Sequence, residues 1–357
     1  MIALEDQLVP VTANGNAASS DVVLEVRELR TYFDTEEGEI RAVDGVTFTL
    51  RRGRILAVVG ESGCGKSITS YSILRLLPKG GRFAGGKILL HPREGGPIDI
   101  TALDEKSEQL YRVRGGLVSM IFQEPMTALS PVHTIGNQIM EAVLLHQNVG
   151  KARARELAIE ALGKVGIPDP ERRIGLYPHE LSGGMRQRAV IAMALVCRPE
   201  LLIGDEPTTA LDVTIQAQIL GLIKRLQAEI GCSVLLITHN MGVVAQIADE
   251  VAVMYLGRMV EQGLVERVLL APRHPYTIGL MSSIPGAAGE QDRLYSIEGS
   301  VPSLTAVPPG CSFHPRCPWA RTGLCDTGAP PPLRTIGRRQ VACHLAEVIM
   351  AETEDAK

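Results

Sequence analysis

Short apolar runs alternate along this chain with longer segments in which apolar residues recur at helical spacing. Residues 55–59, 200–205 and 234–238 contain runs of Val, Ile and Leu. Such runs are typical of strands that are buried on both faces of a parallel sheet. Because helical segments separate these runs, the pattern predicts an α/β fold.

Other segments complete the predicted framework. Shorter strands are expected at residues 22–26, 46–50, 85–90 and 98–100, and a hairpin is expected at 251–260. Helices are expected between Lys66 and Pro78 and over residues 136–166 and 214–230, where apolar side chains recur on one face. The sequence shows no internal repeat, so we expect one such unit rather than a tandem pair.

A glycine-rich segment joins the first buried run to the first predicted helix. Residues 60–67 read Gly-Glu-Ser-Gly-Cys-Gly-Lys-Ser and satisfy the phosphate-loop pattern G-x-x-x-x-G-K-[ST] in full. Glycines let the backbone approach an anion closely, and successive N–H groups at a helix start attract it. Lys66 is expected to reach the β- and γ-phosphates, and Ser67 to bind Mg²⁺. The residues predicted to bind the nucleotide here are Gly60, Ser62, Gly63, Cys64, Gly65, Lys66, Ser67 and Ile68.

Polar residues also end the other two buried runs. Asp205 closes one run, where a carboxylate can bind Mg²⁺, and Glu206 follows it. Strand alternation turns Glu206 away from Asp205, which makes Glu206 the candidate general base or water-orienting residue. His239 follows the third run. Because ligands of open parallel sheets bind beyond the carboxyl ends of the strands, we expect His239 to contact the γ-phosphate.

Over roughly residues 22–270 the chain resembles the ATP-binding cassette (ABC) ATPases. Besides the features above, the resemblance is carried by Leu-Ser-Gly-Gly-Met at 181–185 with Arg-Gln-Arg after it, by Gln123 at the Q-loop position, and by Ala-Leu-Asp at 210–212 at the D-loop position. It implies a P-loop NTPase ABC cassette: a RecA-like core, an antiparallel β subdomain and a helical subdomain at about 125–195. His239 matches the switch histidine.

The resemblance also implies roles for residues that the local pattern does not identify. Phe33, with Tyr32 as the alternative, stacks on adenine, and Gln123 contacts Mg²⁺ and assists catalysis. In the family, ATP lies between the phosphate loop of one cassette and the signature segment of another, so Ser182, Gly183, Gly184 and Asp212 are expected to bind nucleotide. Ser182 also suits a plain helix cap, and both interpretations can hold together.

The composition changes from about residue 271, where Pro, Gly, Arg and Cys rise and regular periodicity fades. Residues 272–277 and 310–318 resemble the C-terminal extension of oligopeptide/dipeptide importer ATPases. We therefore expect a cassette over residues 21–270 and a small, irregular, cysteine-containing extension over 271–357.

Four cysteines fall in this extension: Cys311, Cys317, Cys325 and Cys343. Clustered cysteines in a reducing compartment favour metal binding, although the spacing lacks the C-x₂-C knuckle of ordinary zinc sites. The family extension is associated with a [4Fe–4S] cluster, which four thiolates can hold. The alternatives are Zn²⁺, for which His314 or His344 can substitute as a ligand, and four unligated cysteines.

Composition and hydropathy limit where the protein is expected to act in the cell. The chain has 357 residues and a formal net charge of −4, which gives no electrostatic footprint for nucleic acid. No apolar run approaches the length of a membrane span. Residues 1–20 lack the features of a secretion signal and are expected to be a disordered tail. We therefore expect a cytosolic protein whose membrane contact comes through a partner, and the resemblance implies a peripheral position at the cytoplasmic face of the inner membrane.

The sequence as a whole predicts an ATP-hydrolysing subunit that powers peptide uptake. The resemblance implies as partners a second ABC ATPase subunit, two transmembrane permease subunits and an extracytoplasmic solute-binding protein. The same ATPase role for nickel or another small solute is one alternative. A soluble ABC ATPase of DNA repair or translation is another, although such proteins usually carry two cassettes, a coiled coil or basic insertions.

Overall fold

The computed structural model describes residues 21–124, 128–209, 212–282 and 297–349. The tail predicted at residues 1–20 and two of the predicted D-loop residues, Ala210 and Leu211, lie outside the described residues. The described chain forms a four-stranded sheet and an eight-stranded sheet, with helices packed against them. This architecture confirms the predicted α/β fold.

The strands and helices are numbered here in chain order. The strands are β1 (Val22–Thr35), β2 (Gly38–Arg51), β3 (Ile55–Val59), β4 (Gly81–Leu90), β5 (Ile98–Asp99), β6 (Val118–Ile121), β7 (Leu201–Asp205), β8 (Ser233–Thr238), β9 (Glu250–Tyr255), β10 (Arg258–Leu264), β11 (Arg334–Ile336) and β12 (Arg339–Val341). The helices are α1 (Lys66–Leu74), α2 (Glu108–Val113), α3 (Ile135–His146), α4 (Lys151–Lys164), α5 (Pro170–Arg173), α6 (Gly183–Leu195), α7 (Val213–Ile230), α8 (Met241–Ile247), α9 (Val265–Leu270) and α10 (Pro275–Ser282). None of the described helices combines the length and apolar character that a membrane span requires.

The centre of the eight-stranded sheet is parallel. Strand β3 pairs in parallel with β8 and β9, and β7 pairs in parallel with β6 and β8. Every residue of β3, β7 and β8 is buried, as in sheets covered on both faces. The three strands predicted from apolar runs are confirmed, and their carboxyl ends lie at the same edge of the sheet.

The four-stranded sheet is antiparallel and packs on the same core. Its strand order is β2-β1-β4-β5. Val26 of β1, Leu50 of β2 and Ile88 of β4 belong to one hydrophobic cluster with Leu56 of β3 and Ile203 of β7. The strands predicted at 22–26 and 46–50 are confirmed as parts of the longer β1 and β2, and the predicted hairpin is the antiparallel pair β9–β10.

Helices α3, α4 and α6 form the helical subdomain. They pack through buried side chains such as Val143 of α3, Leu162 of α4 and Ala189 of α6. The helical segment predicted at 136–166 is divided, because α3 ends at His146 and Gly150 caps the start of α4. Periodicity alone did not resolve this break, since apolar residues recur on both sides of it.

The C-terminal region continues the eight-stranded sheet. Strand β12 pairs with β10, and β11 pairs with β12, so residues that sequence patterning left irregular extend the main sheet. The fully buried carboxylate of Glu261 in β10 accepts hydrogen bonds from the backbone N–H of Arg273 at 3.0 Å and of His274 at 2.9 Å. Because a buried carboxylate needs such donors, these bonds fix the start of the extension to the core.

His274 lies in an apolar part of this region. The residue is 1% exposed, and its Nδ1 accepts a hydrogen bond from the backbone N–H of Tyr276 at 3.1 Å. The rings of Tyr276, Tyr255 and Phe313 pack together, with centroids 4.7 to 5.4 Å apart. Burial in these surroundings lowers the pKa of His274 to about 3, because the imidazolium cannot be solvated there.

We predict that His274→Asn weakens the acid sensitivity of folding. Below about pH 6.5 the unfolded chain protonates His274 while the folded chain does not, so stability is lost as the pH falls. Between about pH 7 and pH 5 this residue should lower the free energy of unfolding by about 2 kcal/mol. The Asn carbonyl can still accept the hydrogen bond from Tyr276. Between pH 7 and pH 5 the variant should therefore lose about 2 kcal/mol less of its free energy of unfolding than the wild type. Urea unfolding at both pH values measures this difference. The exposed His179→Asn serves as the control, and an unchanged pH dependence in His274→Asn would contradict the prediction.

Candidate nucleotide site

The phosphate loop lies between β3 and α1 and is packed tightly against backbone. Gly65 has a φ of +101°, and a Cβ placed there would lie 2.1 Å from the carbonyl oxygen of Ala42. At Gly60 a Cβ would lie 2.2 Å from the carbonyl oxygen of Met254. Because neither backbone carbonyl can move aside, only glycine fits these two positions.

The loop encloses the side chain of Lys66. Its Nζ donates to the carbonyl oxygens of Gly60 at 2.8 Å and Glu61 at 2.9 Å, and the residue is 5% exposed. A buried ammonium held by neutral carbonyls is a ready partner for an anion. This arrangement suits the β- and γ-phosphates of a nucleotide.

Asp205 and Ser67 meet beside the loop. The Ser67 hydroxyl donates to Oδ1 of Asp205 at 3.1 Å, while Oδ2 is buried without a hydrogen-bond partner among the described residues. Burial raises the pKa of Asp205 to about 6, against the opposing effect of the Ser67 hydrogen bond. Hard oxygen donors of this kind are the ligands that Mg²⁺ prefers, so the pair fits a magnesium ion.

Glu206 and His239 form a second pair, at the ends of β7 and β8. Nδ1 of His239 lies 3.0 Å from Oε1 of Glu206, and the Thr209 hydroxyl donates to Oε2 at 2.7 Å. Burial by itself would raise the pKa of Glu206, but the hydrogen bonds from His239 and Thr209 outweigh it, so the pKa is lowered. Glu206 is therefore ionised near neutral pH and able to orient or deprotonate a water molecule.

The backbone at Glu206 is unusual. Its φ of +47° lies in the left-handed region, and its N–H donates to the carbonyl of Ile237 at 2.9 Å. A non-glycine residue in this region is strained by about 1–3 kcal/mol and persists only where its surroundings hold it. Glu206 therefore does not continue the extended backbone of β7, which ends at Asp205, and the side-chain direction expected from strand alternation stays a prediction.

Gln123 and Phe33 lie on elements other than the phosphate loop. Gln123 is exposed and follows β6, which pairs with β7. Phe33 is half-buried in β1 and pairs with Gly81 of β4. The neighbouring Tyr32 donates to Asp44 at 2.7 Å, and the guanidinium of Arg41 lies 5.5 Å from its ring centroid. Tyr32 is thus already engaged, which favours Phe33 for adenine stacking.

Ser182 and Asp212 begin helices. The Ser182 side chain accepts from the backbone N–H of Met185 at 3.4 Å, and that of Asp212 accepts from Ile215 at 2.9 Å. Ser182 and Gly183 are exposed, and a Cβ added at Gly183 or Gly184 would meet nothing within 4 Å. The start of α6 therefore faces open space. Its backbone amides are free to contact a nucleotide phosphate that is bound to the phosphate loop of a second chain.

The four cysteines of the extension line one small cavity together with His314 and His344. Burial raises the pKa of Cys317 to about 11 and that of Cys343 to about 12. Within the described ranges, however, no three His, Cys, Asp or Glu side chains lie close enough to hold a metal ion. The structure therefore brings the four cysteines to one cavity but shows no metal site among the described residues. A tetrahedral Zn²⁺ in particular needs sulfur atoms about 3.8 Å apart.

Three residues at this site were missed by sequence reasoning. Glu61 of the phosphate loop contacts Arg316 and Tyr276, both from the C-terminal region. The only available signal was that Tyr276 and Arg316 fall within the two stretches of the extension that carry the family resemblance. Neither stretch indicates its partner, because the contact joins distant parts of the chain.

We predict that Glu206→Gln lowers ATP turnover by about 10²–10⁴-fold while leaving MgATP binding intact, because it removes the base but keeps the side-chain volume. Turnover is measured as steady-state phosphate release, and binding as the MgATP-induced rise in melting temperature. Glu229→Gln, on the exposed face of α7, is the matched control. Turnover of the Glu206→Gln variant at the wild-type rate would remove Glu206 from the catalytic role.

Comparison with known proteins identifies the family to which this chain is similar. The family model described as "ABC transporter" matches residues 43–209, and the model described as "Oligopeptide/dipeptide transporter, C-terminal region" matches residues 260–325. The oligopeptide transport ATP-binding protein AppD of Bacillus subtilis is 51% identical over 331 residues, which cover 92% of this chain and 98% of AppD. The oligopeptide transport ATP-binding protein OppD of Escherichia coli is 44% identical over 350 residues, covering 98% of this chain and 100% of OppD.

A solved structure shows the same fold. The structure of cbiO1 from Clostridium perfringens, part of the ABC transporter complex cbiONQ, is 27% identical and matches with a TM-score of 0.59 over 70% of this chain and 92% of cbiO1. The matched share of this chain, 70%, is about the length of the cassette predicted at residues 21–270. The complete phosphate loop, the paired carboxylates at the end of β7 and the near full-length relatives lead to one conclusion: the chain belongs to the ABC transporter ATPases that carry the oligopeptide/dipeptide transporter C-terminal region.

Proposed function

We propose that this chain is the ATP-hydrolysing subunit that powers uptake of di- or oligopeptides through an ABC importer. The observation that carries the proposal is the presence, on one chain, of a complete cassette and the C-terminal region of oligopeptide/dipeptide transporters. AppD and OppD, which align with nearly all of this chain, are oligopeptide transport ATP-binding proteins. Nickel or another small solute is the alternative cargo.

In the proposed cycle, each MgATP is bound between two cassettes. Lys66 binds the phosphates of one nucleotide, and Ser67, Asp205 and Gln123 hold its Mg²⁺. The amides that follow Ser182 complete the site on the second chain, a role supported by their exposure and by the open space beside them. ATP binding therefore closes a dimer, and hydrolysis opens it again.

Glu206 and His239 carry the hydrolytic step in this proposal. The lowered pKa of Glu206 keeps it ready to accept a proton from the attacking water. His239, whose side chain is 55% exposed, can keep contact with Glu206 while it reaches the γ-phosphate. Phe33 stacks on adenine, and Asp212 lies at the boundary with the second chain.

Two transmembrane permease subunits and an extracytoplasmic solute-binding protein complete the proposed importer, with this chain at the cytoplasmic face of the inner membrane. Support comes from apolar side chains that lie on the surface around the segment after β6. Phe122 is 38% exposed and Val132 is 73% exposed. Exposed apolar side chains on either side of Gln123 and the residues after it are suited to contacts with a permease.

We also propose that Cys311, Cys317, Cys325 and Cys343 hold a [4Fe–4S] cluster, with Zn²⁺ as the alternative. Support comes from the common cavity that the four cysteines line and from the backbone N–H of Leu345, which donates to Sγ of Cys343 at 3.3 Å. A cluster spreads its four cysteines over four iron atoms, so it needs a wider separation of the sulfur atoms than a single ion does.

Peptide uptake tests the main proposal. Cells that lack this chain should regain uptake of labelled di- or oligopeptides when they express the wild type, but not when they express Glu206→Gln at the same level. Glu229→Gln should restore uptake, and nickel uptake should not depend on the chain. Loss of nickel uptake alone would favour the alternative cargo, and transport that never depends on the chain would overturn the proposal.

Iron analysis tests the cluster. Full-length protein purified without oxygen should contain about four irons per chain and show iron–sulfur absorption in the visible range. Cys317→Ser should lose the iron, whereas Cys197→Ser, in the helical subdomain, should retain it. Colourless protein that contains zinc would support the alternative, and protein that contains neither metal would contradict both.

A further inference from the structure

The phosphate loop is bonded directly to the C-terminal region through Glu61. The Arg316 guanidinium donates to both carboxylate oxygens of Glu61, at 2.8 and 3.1 Å. The hydroxyl of Tyr276 accepts a hydrogen bond from the backbone N–H of Glu61 at 2.8 Å. Both the side chain and the backbone of a loop residue are thus held by residues from outside the segment that matches the ABC transporter model.

The two anchoring side chains are themselves immobilised. The Arg316 side chain is 5% exposed and also donates to the carbonyl oxygens of Glu298 at 3.1 Å and Ile297 at 3.4 Å. Its guanidinium lies 5.9 Å from the ring centroid of Phe313. Tyr276 is fully buried among aromatic rings. A bidentate pair between a fixed guanidinium and a carboxylate sets position and direction together.

Glu61 connects the two anchoring residues to Lys66, the lysine that is expected to bind phosphate. Its carbonyl oxygen accepts from Nζ of Lys66 at 2.9 Å, while its N–H is held by Tyr276 on the other side of the residue. Glycine-rich loops are otherwise flexible, and a flexible loop must be ordered when the nucleotide binds. Holding the loop in advance therefore increases affinity by reducing that ordering.

We propose that Arg316 and Tyr276 are positioning residues for the nucleotide: through Glu61 they hold the phosphate loop in the conformation that binds MgATP. The C-terminal region then sets the nucleotide affinity of the cassette, in addition to any role in transport. The inference rests on the assignment of this loop to ATP, and MgATP binding by the unaltered chain tests that assignment separately.

Equilibrium binding of a fluorescent ATP analogue with Mg²⁺ to the purified full-length chain tests the proposal. Arg316→Ala should weaken binding about tenfold with unchanged stoichiometry, since the loop must then be ordered on binding. Tyr276→Phe, which removes only the hydroxyl, should weaken it about threefold. Arg316→Lys keeps the charge but loses the bidentate geometry, so its affinity should fall between those of Arg316→Ala and the wild type.

A double-mutant cycle separates positioning from a general structural effect. In a Glu61→Gln background, Arg316→Ala should weaken binding by at most about twofold, because the amide cannot form the charged bidentate pair that links Arg316 to the loop. The exposed Arg321→Ala, in the same region, is the matched control and should bind like the wild type. Melting temperatures without nucleotide show which variants remain folded.

Three results would overturn the proposal. The first is wild-type affinity in both Arg316→Ala and Tyr276→Phe. The second is a tenfold loss that persists unchanged in the Glu61→Gln background. The third is a loss of affinity that merely follows the melting temperature across all variants. Failure of the unaltered chain to bind MgATP would instead refute the assignment of the loop.

Discussion

The parallel pairing of β3, β7 and β8 is the constraint on which the nucleotide site depends. Parallel strands end at the same edge of a sheet, so the loops that follow them meet even when they are distant in sequence. Ser67 and Asp205 are 138 residues apart and form a hydrogen bond of 3.1 Å. A shift of one residue in the pairing of β7 would turn Asp205 to the opposite face and break this contact.

Charged side chains lie at this edge of the sheet, and their charges are not fully neutralised by neighbouring residues. Asp205 is buried with a raised pKa, and among the described residues Nζ of Lys66 donates to two neutral carbonyl oxygens and makes a weak contact with the thiol of Cys64. Mg²⁺ and phosphate have the complementary charges. Carboxylates with a perturbed pKa, such as Asp205, concentrate at functional sites, because a ligand can supply the opposite charge that the fold leaves out.

The C-terminal region is part of this assembly rather than a separate appendage. It supplies β11 and β12 to the main sheet, it is fixed at its start by the buried Glu261, and it contacts the phosphate loop through Arg316. The segment that matches the transporter C-terminal model begins at residue 260, within β10, which agrees with this continuity. Consequently the phosphate loop contacts the same C-terminal region that forms the cysteine-lined cavity.

By itself the sequence determined the features that depend on neighbouring residues. The buried strands, the glycine loop and the positions of Lys66 and Glu206 followed from local patterns, because strand burial and anion binding each require particular residue types at short spacing. Only the tertiary structure decided which distant groups meet. Arg316 lies 255 residues from Glu61, and Gln262 of β10 pairs with Gln340 of β12, 78 residues further along the chain. Such contacts depend on how strands are ordered in the sheet, and no local pattern along the chain encodes that order.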